Sequence, residues 1–124
     1  MKEVKQAVRR NTPSVDFSPE GVMVIEGRSI MDDPYTFYNP LIERIYSCSS
    51  KYFTLEMRLE YINTSSNKLL LNLLNAVKKH FITTNILIKW YYESDDEDML
   101  DLGKDIESII HVPIDFYELE VEDN

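Results

Sequence analysis

Between Phe53 and Tyr61 the chain alternates apolar with polar residues, setting Phe53, Leu55, Met57, Leu59 and Tyr61 against Thr54, Glu56, Arg58 and Glu60. A two-residue period is that of a strand with one face buried and one face wet. A sheet covered on both sides would show near-continuous apolar strands, so this pattern predicts helices on one face only. Further on the period changes. Leu70, Leu73, Leu74, Val77 and Phe81 recur at helical spacing, with Asn72, Asn75, Lys78 and Lys79 beside or opposite them. This predicts a helix that starts near Thr64 to Ser66 and packs on the sheet. Asn85 to Tyr92 is dense in Ile86, Leu87, Ile88, Trp90, Tyr91 and Tyr92, which predicts a centrally placed strand. The acidic run Ser94 to Asp98 suits the positive start of a third helix over about Glu97 to Ile110, ended by Pro113. Ile114 to Val121 is the last predicted strand, with Glu118 and Glu120 alternating against Leu119 and Val121.

Upstream, Pro13 to Phe17 and Val22 to Glu26 are short extended segments around Ser18, Pro19, Glu20 and Gly21, whose proline and glycine favour a turn. They predict an opening hairpin. Gly27 to Asp33 is then a loop, and Asp33 followed by Pro34 fits a helix start with the acid as cap. That helix is expected from about Pro34 to Ser49. Its interior Pro40 predicts a bend, or a later start at Asn39. Hairpin, helix, strand, helix, strand, helix and strand make an α/β fold, and strands joined by helices should run parallel with right-handed crossovers. The expected architecture is a single domain over residues 1–124, a mixed sheet of about five strands with helices on one face. Residues 1–11 are expected to be flexible or loosely packed.

Composition narrows the function. In 124 residues, 13 Lys and Arg face 22 Asp and Glu, a net charge of -9 that repels a nucleic-acid backbone or an anionic membrane surface. Cys48 stands alone, so no internal disulfide or paired-thiol redox site can form, which fits a reducing, cytoplasmic setting. Lys2, Lys5, Arg9 and Arg10 are not followed by the apolar stretch of a secretory signal, and no apolar run approaches the roughly 20 residues that cross a bilayer.

Candidate chemistry concentrates in Tyr61 to Lys68, where Thr64, Ser65 and Ser66 place three hydroxyls at a strand-to-helix junction. Free N–H groups and the helix dipole make such a junction a good seat for a phosphate. Equally, Thr64 or Ser65 could serve simply as the helix cap. Asp95, Asp96, Glu97 and Asp98 lack the alternating ligands and glycine of a calcium loop and read as a solvated helix start. His80 and His111 have no ligand-spaced partner, so no metal and no cofactor are expected. Nucleophile-elbow, phosphate-loop and dinucleotide motifs are missing from a chain with three glycines. Tyr35, Phe37, Tyr38, Tyr91 and Tyr92 could line a ligand pocket or partner surface, or belong to the core.

Leu59, Tyr61, Asn63, Thr64, Ser65, Ser66 and Lys68 resemble the strand-end signature of the SiaC family, bacterial phosphoproteins that regulate biofilm formation. Thr12 and Pro13, the Gly27 to Ser29 turn, the Pro34 to Tyr38 helix start and Trp90 with Tyr92 also resemble that family, so the likeness spans nearly the whole chain. The resemblance implies a fold similar to the anti-sigma-factor antagonists, the STAS-like domains. It implies a phosphoacceptor at Thr64, surrounded by Asn63, Ser65, Ser66 and Lys68. It also implies a non-enzymatic partner switch in c-di-GMP signalling. The unphosphorylated form would bind and activate a diguanylate cyclase, and a Ser/Thr kinase and a PP2C-like phosphatase would set the state of Thr64. The alternative from the residues alone is a small hydrolase or transferase with Thr64 or Ser65 as nucleophile and His111 as base. A third reading is a structural subunit in which Thr64 is an ordinary cap.

Overall fold

The computed structural model describes residues 11–120. Strands β1 (Ser14–Phe17) and β2 (Val22–Ser29) form an antiparallel hairpin. Helix α1 (Tyr35–Tyr46), strand β3 (Phe53–Ile62) and helix α2 (Thr64–His80) follow. A 3-10 turn (Thr83–Asn85) leads into strand β4 (Ile86–Glu93), helix α3 (Glu97–Ile110) and strand β5 (Ile114–Leu119). The sheet order is β1-β2-β3-β4-β5, with β2 to β5 all parallel.

Because each crossover steps to the next strand in the same direction, connections of one hand place every helix on the same face. The burial pattern agrees. Met23, Ile25, Phe53, Leu55, Met57, Leu59, Ile88, Trp90 and Ile114 point into the core from one side of the sheet. Leu70, Leu73, Leu74 and Val77 of α2 meet them there, each buried aliphatic side chain contributing about 1.5–3 kcal/mol. The other face carries Glu26, Glu56, Arg58, Lys89, Tyr91 and Tyr117 and remains open.

The expected α/β architecture therefore holds, with corrections in detail. Strand β2 runs on through Gly27, at φ 122°, to Ser29, where a loop was expected. A bulge lies opposite: Gly27 pairs with Leu59 but Arg28 pairs with Tyr61, so Glu60 is an extra residue in β3. The extra residue inverts the parity of the strand end. Tyr61, expected in the core, is 51% exposed, while Ile62 is buried. Strand β4 is flanked on both sides but alternates, with Leu87 on the open face, so its run of apolar residues does not mean burial on both faces. In β5, Phe116 faces the helices and Leu119 shares the open face with Tyr117.

Helix α1 starts at Tyr35, not Asn39, and includes Pro40 as its sixth residue; it ends at Tyr46, short of the expected Ser49. Pro34 takes the cap position, and Asp33 contributes its backbone carbonyl to the Thr36 hydroxyl instead of a capping carboxylate. Helix α3 is capped by Asp96, whose Oδ1 accepts the Met99 N–H at 3.0 Å. It is ended by His111 in the left-handed conformation, φ 60°, two residues before Pro113. The expectation for residues 1–11 falls, apart from Asn11, outside the described residues. The Asn11 carbonyl accepts the Ile30 N–H at 3.1 Å.

Candidate functional site

The three hydroxyls sit where β3 gives way to α2, at the carboxyl ends of the parallel strands. Ile62 pairs with Ser29, and the Asn63 N–H donates to the Ser29 carbonyl at 2.9 Å, tying the junction to β2. Asn63 is extended, φ -86° and ψ 172°, and its Oδ1 accepts the Ser66 N–H at 3.0 Å. Its carbonyl accepts the Asn67 N–H at 2.9 Å. Asn63 is thus the helix cap, which corrects the assignment of that role to Thr64 or Ser65. The signal was present in the sequence, because asparagine ranks with the best capping residues.

With the cap on Asn63, Thr64 and Ser65 become the first two helical residues, and both are exposed. Helix geometry leaves their N–H groups without intrahelical acceptors, and among the described residues they have no other partner. Two free donors at the positive end of a 17-residue helix suit an oxyanion. Lys68 is exposed four residues after Thr64, on the same face of the helix. Ser66 differs from its neighbours, being fully buried with a hydroxyl that has no hydrogen-bond partner, and Asn67 Oδ1 is likewise buried and unpaired. Only two of the three hydroxyls are therefore open to a modifying enzyme.

Beneath the junction lies a buried hydroxyl pair, Ser29 Oγ and Tyr38 Oη, 2.8 Å apart. Burial pushes the Tyr38 phenol up to about 12, and the hydrogen bond with Ser29 offsets only part of that rise. Tyr38 is therefore a neutral structural group. Of the aromatic residues considered for a common pocket, Tyr91 and Tyr92 line one cleft, whereas Tyr35, Phe37 and Tyr38 lie apart from it on α1. Tyr38 is core, Tyr35 is 58% exposed on α1, and Tyr91 stacks on Tyr117 across the open sheet face.

A nucleophile at Thr64 or Ser65 would need a base. His80 closes α2, roughly 24 Å of helix from Thr64, and His111 ends α3, so both stand at the amino ends of the strands, the opposite end of the sheet from the hydroxyls. His80 Nε2 instead meets the Cys48 carbonyl at 2.8 Å. The strand order is sequential, so the sheet has no topological switch point, where open α/β sheets commonly bind small ligands. Among the described residues, no group of three His, Cys, Asp or Glu is placed to hold a metal ion, and no helix is long and apolar enough to cross a membrane. The junction presents two exposed hydroxyls and two free N–H donors.

The sequence profile of the SiaC family of regulatory phosphoproteins matches residues 6–119. Among solved structures, the chain is similar to one of the diguanylate cyclase SiaD in complex with its activator SiaC from Pseudomonas aeruginosa. The TM-score is 0.77 at 19% identity, over 89% of this chain and 94% of the matched one. It is also similar to apo-SiaC from Pseudomonas aeruginosa, with a TM-score of 0.76 at 19% identity, over 86% and 91% of the two chains. At that identity the likeness is one of fold. Comparison with curated proteins returned no match.

Proposed function

The chain belongs to the SiaC family of regulatory phosphoproteins, and on that premise we propose that it is a non-enzymatic, cytoplasmic partner switch controlled at Thr64. In this reading the unphosphorylated domain binds and activates a diguanylate cyclase; in the similar Pseudomonas aeruginosa complex SiaC is the activator of the diguanylate cyclase SiaD. A Ser/Thr kinase and a PP2C-like phosphatase set the state of the hydroxyl. The carrying observation is the division of labour at the junction: Asn63 caps the helix, so the exposed Thr64 hydroxyl is not needed to hold it.

The physical mechanism follows from charge. Phosphorylation adds about -1.5 to -2 charge at Thr64. The free N–H groups of Thr64 and Ser65 and the ammonium of Lys68 can hold that charge, so the fold survives. A helix N-terminus stabilises an anion by about 0.3–1 kcal/mol at an exposed site. A partner shaped for a neutral hydroxyl must instead desolvate the phosphate, at a cost of several kcal/mol. The second term exceeds the first, so the protein tolerates the modification while the complex does not. The buried Ser66 and half-buried Asn63 support the turn from within, and Ser65 provides the second open donor.

The test is the affinity of the protein for the helical segment of a co-encoded diguanylate cyclase, measured before and after phosphorylation at Thr64. Binding that is lost on phosphorylation is the expected result. Equal affinity in both states rejects the switch, and absence of binding in both rejects the cyclase as partner.

A further inference from the structure

On the reading that the domain binds a protein partner over Thr64, we propose that the cleft between the carboxyl ends of β3 and β4 receives a cationic side chain, arginine or lysine, of that partner. The pairing of β3 with β4 stops at Met57 and Trp90, although β3 continues to Ile62 and β4 to Glu93. The bulge at Glu60 lies three residues beyond the last pair, within the parted end of β3. It keeps the end of β3 in register with β2, where Arg28 meets Tyr61, while the end of β4 stays with β5, where Glu93 meets Leu119.

The resulting cleft is lined by Glu26, Arg58, Glu60, Tyr91, Glu93 and Asp96, with Tyr92 and two leucines completing the walls. Four carboxylates thus face one guanidinium. That guanidinium is already engaged, lying 3.8 Å from the centre of the Tyr91 ring and 3.5 Å from Glu56. Asp96 is committed to capping α3. Glu60 and Glu93 are exposed and have no cationic partner among the described residues.

Complementarity therefore selects a cation. The four carboxylates are spread along the cleft, and among the described residues no three of them lie close enough together to hold one metal ion. A long side chain with a terminal charge matches better, because its aliphatic stem can lie along Leu119 while its head meets the carboxylates. The cleft also lies within reach of the same partner, since Glu60 precedes Thr64 by four residues, at most about 14 Å of extended chain.

The experiment measures the affinity of the unphosphorylated, full-length protein for the helical cyclase segment at low and high salt. Wild type is compared with Glu60→Gln/Glu93→Gln, with Glu60→Lys, and with Asp101→Asn on the exposed side of α3 as control. The double variant is expected to lose tenfold or more in affinity and to show a flatter salt dependence, Glu60→Lys to lose more, and the control to bind as wild type. Wild-type affinity and salt slope in both cleft variants would overturn the cleft assignment while leaving the cyclase reading intact. Failure of the wild type to bind would bring down both. If the cleft variants instead change self-association with partner affinity unaltered, the cleft belongs to a second copy and the assignment falls.

Discussion

Asn63 Oδ1 accepts the N–H of Ser66 at 3.0 Å, so the residue that holds the start of α2 is the neighbour of the proposed phosphoacceptor and not the phosphoacceptor itself. In the proposed switch, structural and regulatory duties are thereby separated by one position. Asn63→Ala should destabilise the domain by about 0.5–2 kcal/mol, and Asn63→Asp should restore most of the loss. Thr64→Ala should stay within about 0.5 kcal/mol of wild type, as for an exposed residue without a structural bond. Denaturant midpoints for the three variants check this, and a large loss in Thr64→Ala would return the capping role to Thr64.

Thr64→Asp should leave the far-ultraviolet circular dichroism and the melting temperature close to wild type, because a carboxylate at the first helical position is favourable. The same variant should bind the cyclase segment more weakly than Thr64→Ala. If the two variants bind equally, charge is not the lever and the bulk of the phosphate must be tested instead.

Tyr38 gives a pH signature. Its folded-state pKa of about 12 lies above the ordinary 10, so the folded form holds the phenolic proton through a range in which the unfolded chain has released it. Its contribution to stability is complete below pH 10 and is lost between pH 10 and 12, by up to about 3 kcal/mol at roughly 1.4 kcal/mol per unit. Tyr38→Phe should abolish that part of the decline. It should also cost about 1–3 kcal/mol at neutral pH, because Ser29 Oγ is left buried and unpaired. Urea unfolding of both proteins between pH 7 and 11.5 separates the two effects.

Gly103 lies in the middle of α3, against the sheet. A Cβ there would come within 2.7 Å of Trp90 Nε1 and of Phe116 Cε1. Gly103→Ala, normally helpful in a helix interior, should therefore destabilise by about 1–3 kcal/mol through overpacking. Trp90 is the single tryptophan, and its Nε1 donates to the Met99 carbonyl at 3.0 Å, so an altered emission spectrum should accompany the loss.

Much of this fold was legible because the helical and strand periods of the sequence agree with the topology. The alternation of β3 announced a half-covered sheet, and the stripe from Leu70 to Val77 announced the helix that covers it. What escaped was non-local. The outward turn of Tyr61 depends on a bulge that exists only once β3 has paired with β2, and no period in either strand reports it. The exposure of Leu119 follows from its register with Glu93. In α1, Pro40 argued for an interruption. The helix nevertheless continues, because Tyr38, Leu41 and Ile45 on either side of it are all buried against the core. The candidate site was legible in composition but not in assignment. The run Asn63 to Ser66 offered four capping residues, and only the backbone decided that Asn63 caps, Thr64 and Ser65 face solvent, and Ser66 is buried.

The uninterrupted strand order β1-β2-β3-β4-β5 bears on how the chain acquires its structure. Every strand joins the one synthesised just before it, so no pairing waits for a distant segment, and loop-closure entropy stays low at each step. The hairpin of β1 and β2 can form first and act as a template that grows in one direction as the ribosome delivers the chain. Strand β3, completed by residue 62, finds its β2 neighbour already made, and the α2 start that bears Thr64 is set down on a finished edge. The turn of the proposed switch thus rests on the first strands to be synthesised, while β4, α3 and β5, which complete the acidic cleft, follow it in the chain.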